Sequence, residues 1–324
     1  MKKIINLCKR ITKGIAYYAL FSPILKKTNW YKNLFIEDIY PGNIWYREHD
    51  ERNFDLVVLG SSSAKWAFDF SDLGIKAMNW AQQPQTLVED YNLLRNFHSI
   101  LRKGGIVIIT IMPFTSLNKQ TGLLDALKYQ KVYSHEPIQP YLYQKARHIT
   151  EIPVLMGIPA IKGLIKYLIG KDEKLRTNAN AQCFNNLMNQ EQLEQNALSF
   201  VNGWKQQFNI IDFDATLTVD NKKGREYRIK LMQTIIDFCI ERSYRPLFVI
   251  PPVTKHLSKF YTRAFEETYI YSFLRDVNRD IPILDYSKND NLQKDDLYFN
   301  SFFMNQKGRK LFTKQVLSDI GLSK

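Results

Sequence analysis

Two short apolar runs limit what this chain can fold into more than any other feature. Residues 54–60 read FDLVVLG and residues 106–112 read IVIITIM. Both are rich in β-branched side chains, neither alternates apolar with polar positions, and they stop at Gly60 and Pro113. Runs of that length without alternation fit strands covered on both faces, as in parallel sheets. Parallel strands need helical crossovers. Leu87, Tyr91, Leu94, His98 and Leu101 recur at spacings of three and four, which predicts an amphipathic helix over residues 85–103 ended by Gly104 and Gly105. A second short strand is expected at residues 76–80. The same grammar returns later, with helices over residues 224–242, 258–277 and 305–320 and strands over 246–250 and 281–286. The expected fold class is α/β, a doubly wound parallel five-stranded sheet of flavodoxin-like order.

Residues 118–220 depart from this grammar. Asn and Gln cluster in NANAQCFNNLMNQEQLEQN, and helical spacing dominates, so a helical insertion is expected there. Within it, residues 152–170 form a basic apolar segment broken by Pro153, Pro159 and three glycines. Lys162 and Lys166 interrupt it at helical spacing, which favours a packed helix pair or a flap over a membrane span. The expected organisation is a basic amphipathic segment over residues 1–53 and an α/β domain over 54–320 that carries the insertion.

The net charge of +13 is uneven, because eight Lys and Arg residues precede the first acidic residue, Glu37. The apolar stretch between them, residues 14–25, is too short to cross a ~30 Å hydrocarbon core. Lys26, Lys27 and Thr28 follow it where a signal peptide would carry small residues. These features predict a cytoplasmic protein whose residues 1–33 rest on an anionic membrane surface at its inner face, each cation adding roughly 1 kcal/mol. The alternative is a solvated basic helix packed on the domain. No nucleic-acid motif accompanies the charge, so nucleic acid is not expected as a partner. Three widely spaced cysteines, Cys8, Cys183 and Cys239, offer neither a disulfide framework nor a C-x-x-C metal site. With no histidine and carboxylate cluster at metal spacing and no glycine-rich phosphate cradle, no metal or other cofactor is expected.

Ser61, Ser62 and Ser63 directly follow the first predicted strand, at the carboxyl edge where open α/β sheets place their sites. A serine there has backbone N–H groups nearby for an oxyanion, and its hydroxyl can attack a carbonyl once a base takes the proton. The same residues are also ordinary turn formers. The order of elements and the tail of the chain resemble the SGNH/GDSL esterase and acyltransferase superfamily. Gly60-Ser61-Ser62 matches the first block of that family, with Ser62 at the nucleophile place. The resemblance implies oxyanion donors from two further turns, here NWAQQPQT and MPFTSLN, which offer Asn79, Gln82, Gln85 and Asn118. It also implies a final block D-x-x-H-x-N-x-x-G, and residues 300–308, NSFFMNQKG, follow that frame. Asn300 stands at the aspartate place and Phe303 at the histidine place. Phenylalanine cannot accept a proton. His256, after the fourth predicted strand in VIPPVTKH, is the substitute base by position, with Asp285, Asp295 or Asp296 to orient it; otherwise it is a surface histidine that begins a helix.

More narrowly, the G-S-S turn and the NWAQQPQT segment resemble bacterial SGNH-like proteins associated with capsule or exopolysaccharide synthesis. Two functions follow as implications of that resemblance. One is a serine esterase or O-acyltransferase that uses Ser62 on cell-surface polysaccharide or a lipid-linked sugar. The other is a non-catalytic module that binds a glycan, an acylated substrate or an assembly partner.

Overall fold

The computed structural model describes residues 20–34, 53–117, 122, 126–127, 129, 137–175 and 187–322. In chain order the first elements are α1 (Asn29–Asn33), β1 (Phe54–Leu59), α2 (Ser62–Lys65), β2 (Ala77–Asn79), α3 (Leu87–Phe97) and β3 (Leu101–Thr110). Helices α4 (Pro140–Glu151), α5 (Ile158–Leu168), α6 (Gln190–Phe208) and α7 (Val219–Glu241) follow. The chain then runs through β4 (Arg245–Ile250), α8 (Lys255–Ser258), α9 (Arg263–Glu266), α10 (Ser272–Val277), β5 (Ile283–Asp285) and α11 (Gln306–Asp319). Two compact units result, residues 1–44 with 122–179, and residues 45–121 with 180–324. The first unit thus joins the basic N-terminal residues to part of the 118–220 segment, and the second holds the sheet.

All strand pairs are parallel, in the order β2-β1-β3-β4-β5. Leu56, Val58, Ile106, Ile108, Leu247 and Val249 face one buried layer with Phe312, Val316 and Leu317 of α11. Val57, Val107, Ile109 and Phe248 alternate with them along the strands and are equally buried. Coverage of both faces is why the runs lack a polar alternation. The order reverses direction between β1 and β3, so the switch point lies at the carboxyl ends of those two strands.

Two of the predicted helices differ from the sequence expectation. Residues 98–100 form a tight 3₁₀ turn after α3, and Gly104 and Gly105 lie inside β3 instead of ending a helix. Phe54 pairs with Leu101 and Leu56 with Ile106, so two residues of β1 span five of β3. Gly104 adopts φ +73° in that bulge and donates its N–H to Ser243 O at 2.9 Å. The helix expected over 258–277 is broken as well, because Thr254 and Thr262 each cap a separate helix through their side chains, and a π-helical turn over Glu267–Tyr271 follows. The Asn- and Gln-rich stretch ends in α6, started by a capping box between Asn189 and Gln192.

Candidate functional site

The site is built on the turn after β1. Gly60 has φ +143°, and a side chain there would place Cβ 2.8 Å from Ala64 Cβ and 3.0 Å from Thr110 Cβ. Only glycine lets the chain leave β1 so close to β3. The Gly60 N–H donates to Asp90 Oδ1 at 2.9 Å, and the Gln85 side-chain amide donates to the same oxygen at 2.6 Å. Gln85 N–H donates to Ser61 Oγ at 3.1 Å. The turns after β1 and β2 are therefore held together through one buried carboxylate. Burial pushes the Asp90 pKa up to about 7, against the lowering effect of the Gln85 and Gly60 hydrogen bonds, and the neighbouring Glu89 charge raises it further.

Above this base lies a cleft of about 440 Å³. One wall carries Ser61, Ser62, Gln83, Pro84 and Gln85; a second carries Met112, Pro113 and Phe114. The third wall is α6, whose Asn196, Ser199, Phe200, Gly203, Trp204 and Gln207 share one helical face and line the cleft. Phe302 and Phe303 close the fourth side. The rings contact one another: Phe302 with Trp204 at 5.1 Å, with Phe200 at 5.3 Å and with Phe303 at 4.7 Å between centroids, and Phe303 with Phe200 at 5.8 Å. Edge-to-face geometry dominates, which suits aromatic quadrupoles. The loop is fixed to α6 by Asn196 Oδ1, which accepts from Ser301 N–H at 3.0 Å and Ser301 Oγ–H at 2.7 Å.

The predicted site residues divide between those this cleft gathers and those it does not. Ser62 is half-buried and lines it. Among the described residues, no imidazole or carboxylate lies within hydrogen-bonding distance of Ser62 Oγ. Asn79 faces away from an oxyanion role, since its Nδ2 donates to Ala64 O at 3.0 Å and its Oδ1 accepts from Ala81 N–H at 3.0 Å. Gln82 is buried and does not line the cleft, whereas Gln85 does, with its amide turned to Asp90. Asn118 lies outside the described residues. Asn300 Oδ1 accepts from the N–H groups of Phe302 and Phe303 at 2.9 and 2.7 Å, so it shapes the loop that carries Phe303 into the cleft.

His256 does have a carboxylate partner. Its Nε2 lies 3.1 Å from Asp295 Oδ2 and its Nδ1 3.8 Å from Glu194 Oε1, but His256 is not among the residues lining the cleft. Asp285 accepts from the Tyr271 hydroxyl at 2.6 Å, and Asp296 pairs with Lys307, which lowers the carboxyl pKa. Among the described residues no group of three His, Cys, Asp or Glu side chains is arranged to hold a metal ion.

Sequence reading missed two parts of the site. The α6 wall was hidden in the Asn- and Gln-rich stretch, although Phe200, Gly203, Trp204 and Gln207 at spacings of three and four were a usable signal. Asp90 looked like an ordinary acidic residue in a first helical turn. Against known proteins, no family model matches the chain and no curated protein matches it.

Proposed function

We propose that this chain is a catalytically silent SGNH-like protein that binds a glycan, in free, acylated or lipid-linked form, in the cleft beside Ser62. The observation that carries the proposal is the company of Ser62. It shares the cleft with Phe303, which stands where a base would be needed, and among the described residues no base reaches its hydroxyl. Without a proton acceptor the serine is a hydrogen-bonding group and not a nucleophile. The other walls combine the rings of Phe200, Trp204 and Phe302, largely buried but lining the cleft, with the amides of Gln83, Asn196 and Gln207. Rings cover the apolar face of a sugar, and amides and hydroxyls meet its hydroxyl groups. The strand order and the serine after β1 support the SGNH-type reading of the fold.

Isothermal titration with oligosaccharides of bacterial surface polysaccharides tests this. Trp204→Ala is expected to weaken binding roughly tenfold or more, as loss of a ring platform does, while Ser62→Ala leaves it nearly unchanged. A second reading rests on the His256–Asp295 pair, which would make the protein an active esterase or O-acyltransferase with a displaced base. Covalent labelling by a fluorophosphonate that disappears in Ser62→Ala would establish that reading and overturn the silent one.

A further inference from the structure

Helix α5 belongs to the first unit and packs there through its smallest residues. Ala160 and Gly163 are buried, and the Gly163 backbone lies against the Trp30 ring of α1. The opposite side of the helix is apolar too. Ile158, Ile161, Ile165 and Leu168 follow one another at spacings of three and four, and each is more than half exposed. Lys162 and Lys166 run along one flank of this stripe, and no acidic residue occurs within α5. Exposed lysines 26, 27, 171 and 174 lie in the same unit. Residues 1–44 and 122–179 carry 17 Lys and Arg against 7 Asp and Glu, a net of +10 out of the +13 of the whole chain.

We infer that this face of α5 is an interfacial anchor that lies in the plane of an anionic lipid bilayer, with the isoleucine stripe in the headgroup boundary and Lys162 and Lys166 at the phosphates. A contiguous exposed apolar stripe demands a cover. The concentration of positive charge around it selects an anionic one, and it opposes a second copy of the same face, which would bring +10 against +10. Eleven residues span only about 16 Å, so the helix cannot cross a bilayer, but an amphipathic helix with lysines beside its apolar face binds along the surface. The lysine stems can extend over the apolar stripe while their ammonium groups stay at the headgroups. No helix among the described residues is long and apolar enough to cross a membrane.

The test is sedimentation of the full-length protein with vesicles of phosphatidylcholine alone or mixed with phosphatidylserine. The wild type is expected to bind the mixed vesicles. Ile161→Glu combined with Ile165→Glu should weaken that binding about tenfold or more, and Lys162→Glu combined with Lys166→Glu should weaken it with the stripe left in place. All four positions are solvent-facing, and unchanged circular dichroism will show that the variants fold. The proposal is overturned if the wild type stays in the supernatant, or if the isoleucine variant binds as well as the wild type, which would move the contact to the N-terminal residues. It is also overturned if light scattering finds a dimer that the isoleucine variant dissociates, since a second copy would then be the cover.

Discussion

At the scale of single residues, Asp90 is where the site and the stability of the fold meet. Its carboxyl pKa is near 7 in the folded protein and near 3.8 when unfolded, so the folded state binds the extra proton between those values. Folding is therefore favoured while Asp90 is protonated, and the advantage is lost as pH rises from about 3.8 through about 7, a change of up to about 4 kcal/mol. The D90N variant keeps an acceptor for the Gly60 and Gln85 donors and does not titrate. Thermal melts between pH 5 and pH 8 should show the wild type losing stability relative to D90N as pH rises; parallel profiles would refute this. A carboxylate made costly by burial is invisible in sequence, because its cost depends on what surrounds it. Ser62, by contrast, was legible from its place after a buried run. The position of His256 outside the cleft was not, since a chain position at the sheet edge does not fix that the ring turns to Asp295.

At the scale of elements, close approaches decide what the turns tolerate. A methyl group at Gly60 meets Ala64 Cβ and Thr110 Cβ at 2.8 and 3.0 Å with φ +143°, and one at Gly308, in the first turn of α11, would come within 2.1 Å of Leu297 O. G60A and G308A are each expected to lower stability by about 2–4 kcal/mol in chemical denaturation, since backbone must move in both. An unchanged midpoint in either variant would contradict the close packing. These glycines also explain what sequence reading resolved and what it did not. The strands emerged because burial on both faces leaves an unbroken apolar run, and five were found in five expected places. Gly104 and Gly105 misled because glycine pairs end helices more often than they widen a strand. The division of residues 258–277 turned on Thr262 acting as a cap, which only its hydrogen bond to Phe265 N–H at 3.1 Å establishes.

At the scale of the whole molecule, charge is the property that separates the two units. The unit bearing α5 holds most of the excess, while the larger unit with the sheet and cleft is nearly balanced. Attraction of that kind is screened over about 10 Å at 0.1 M salt and about 3 Å at 1 M. Binding to phosphatidylserine vesicles should therefore fall several-fold as salt is raised across that range, with a remainder carried by the isoleucine stripe, and a salt-independent affinity would contradict the electrostatic share. The chain passes between the units three times, after residues 44, 121 and 179. The cleft is thus tethered to whatever surface the first unit rests on by more than a terminal tail. For a ligand confined to that surface, such a tether turns an encounter in solution into one at an effective concentration on the order of millimolar. An intrinsic affinity that looks negligible with a soluble oligosaccharide would then be enough to keep the cleft occupied.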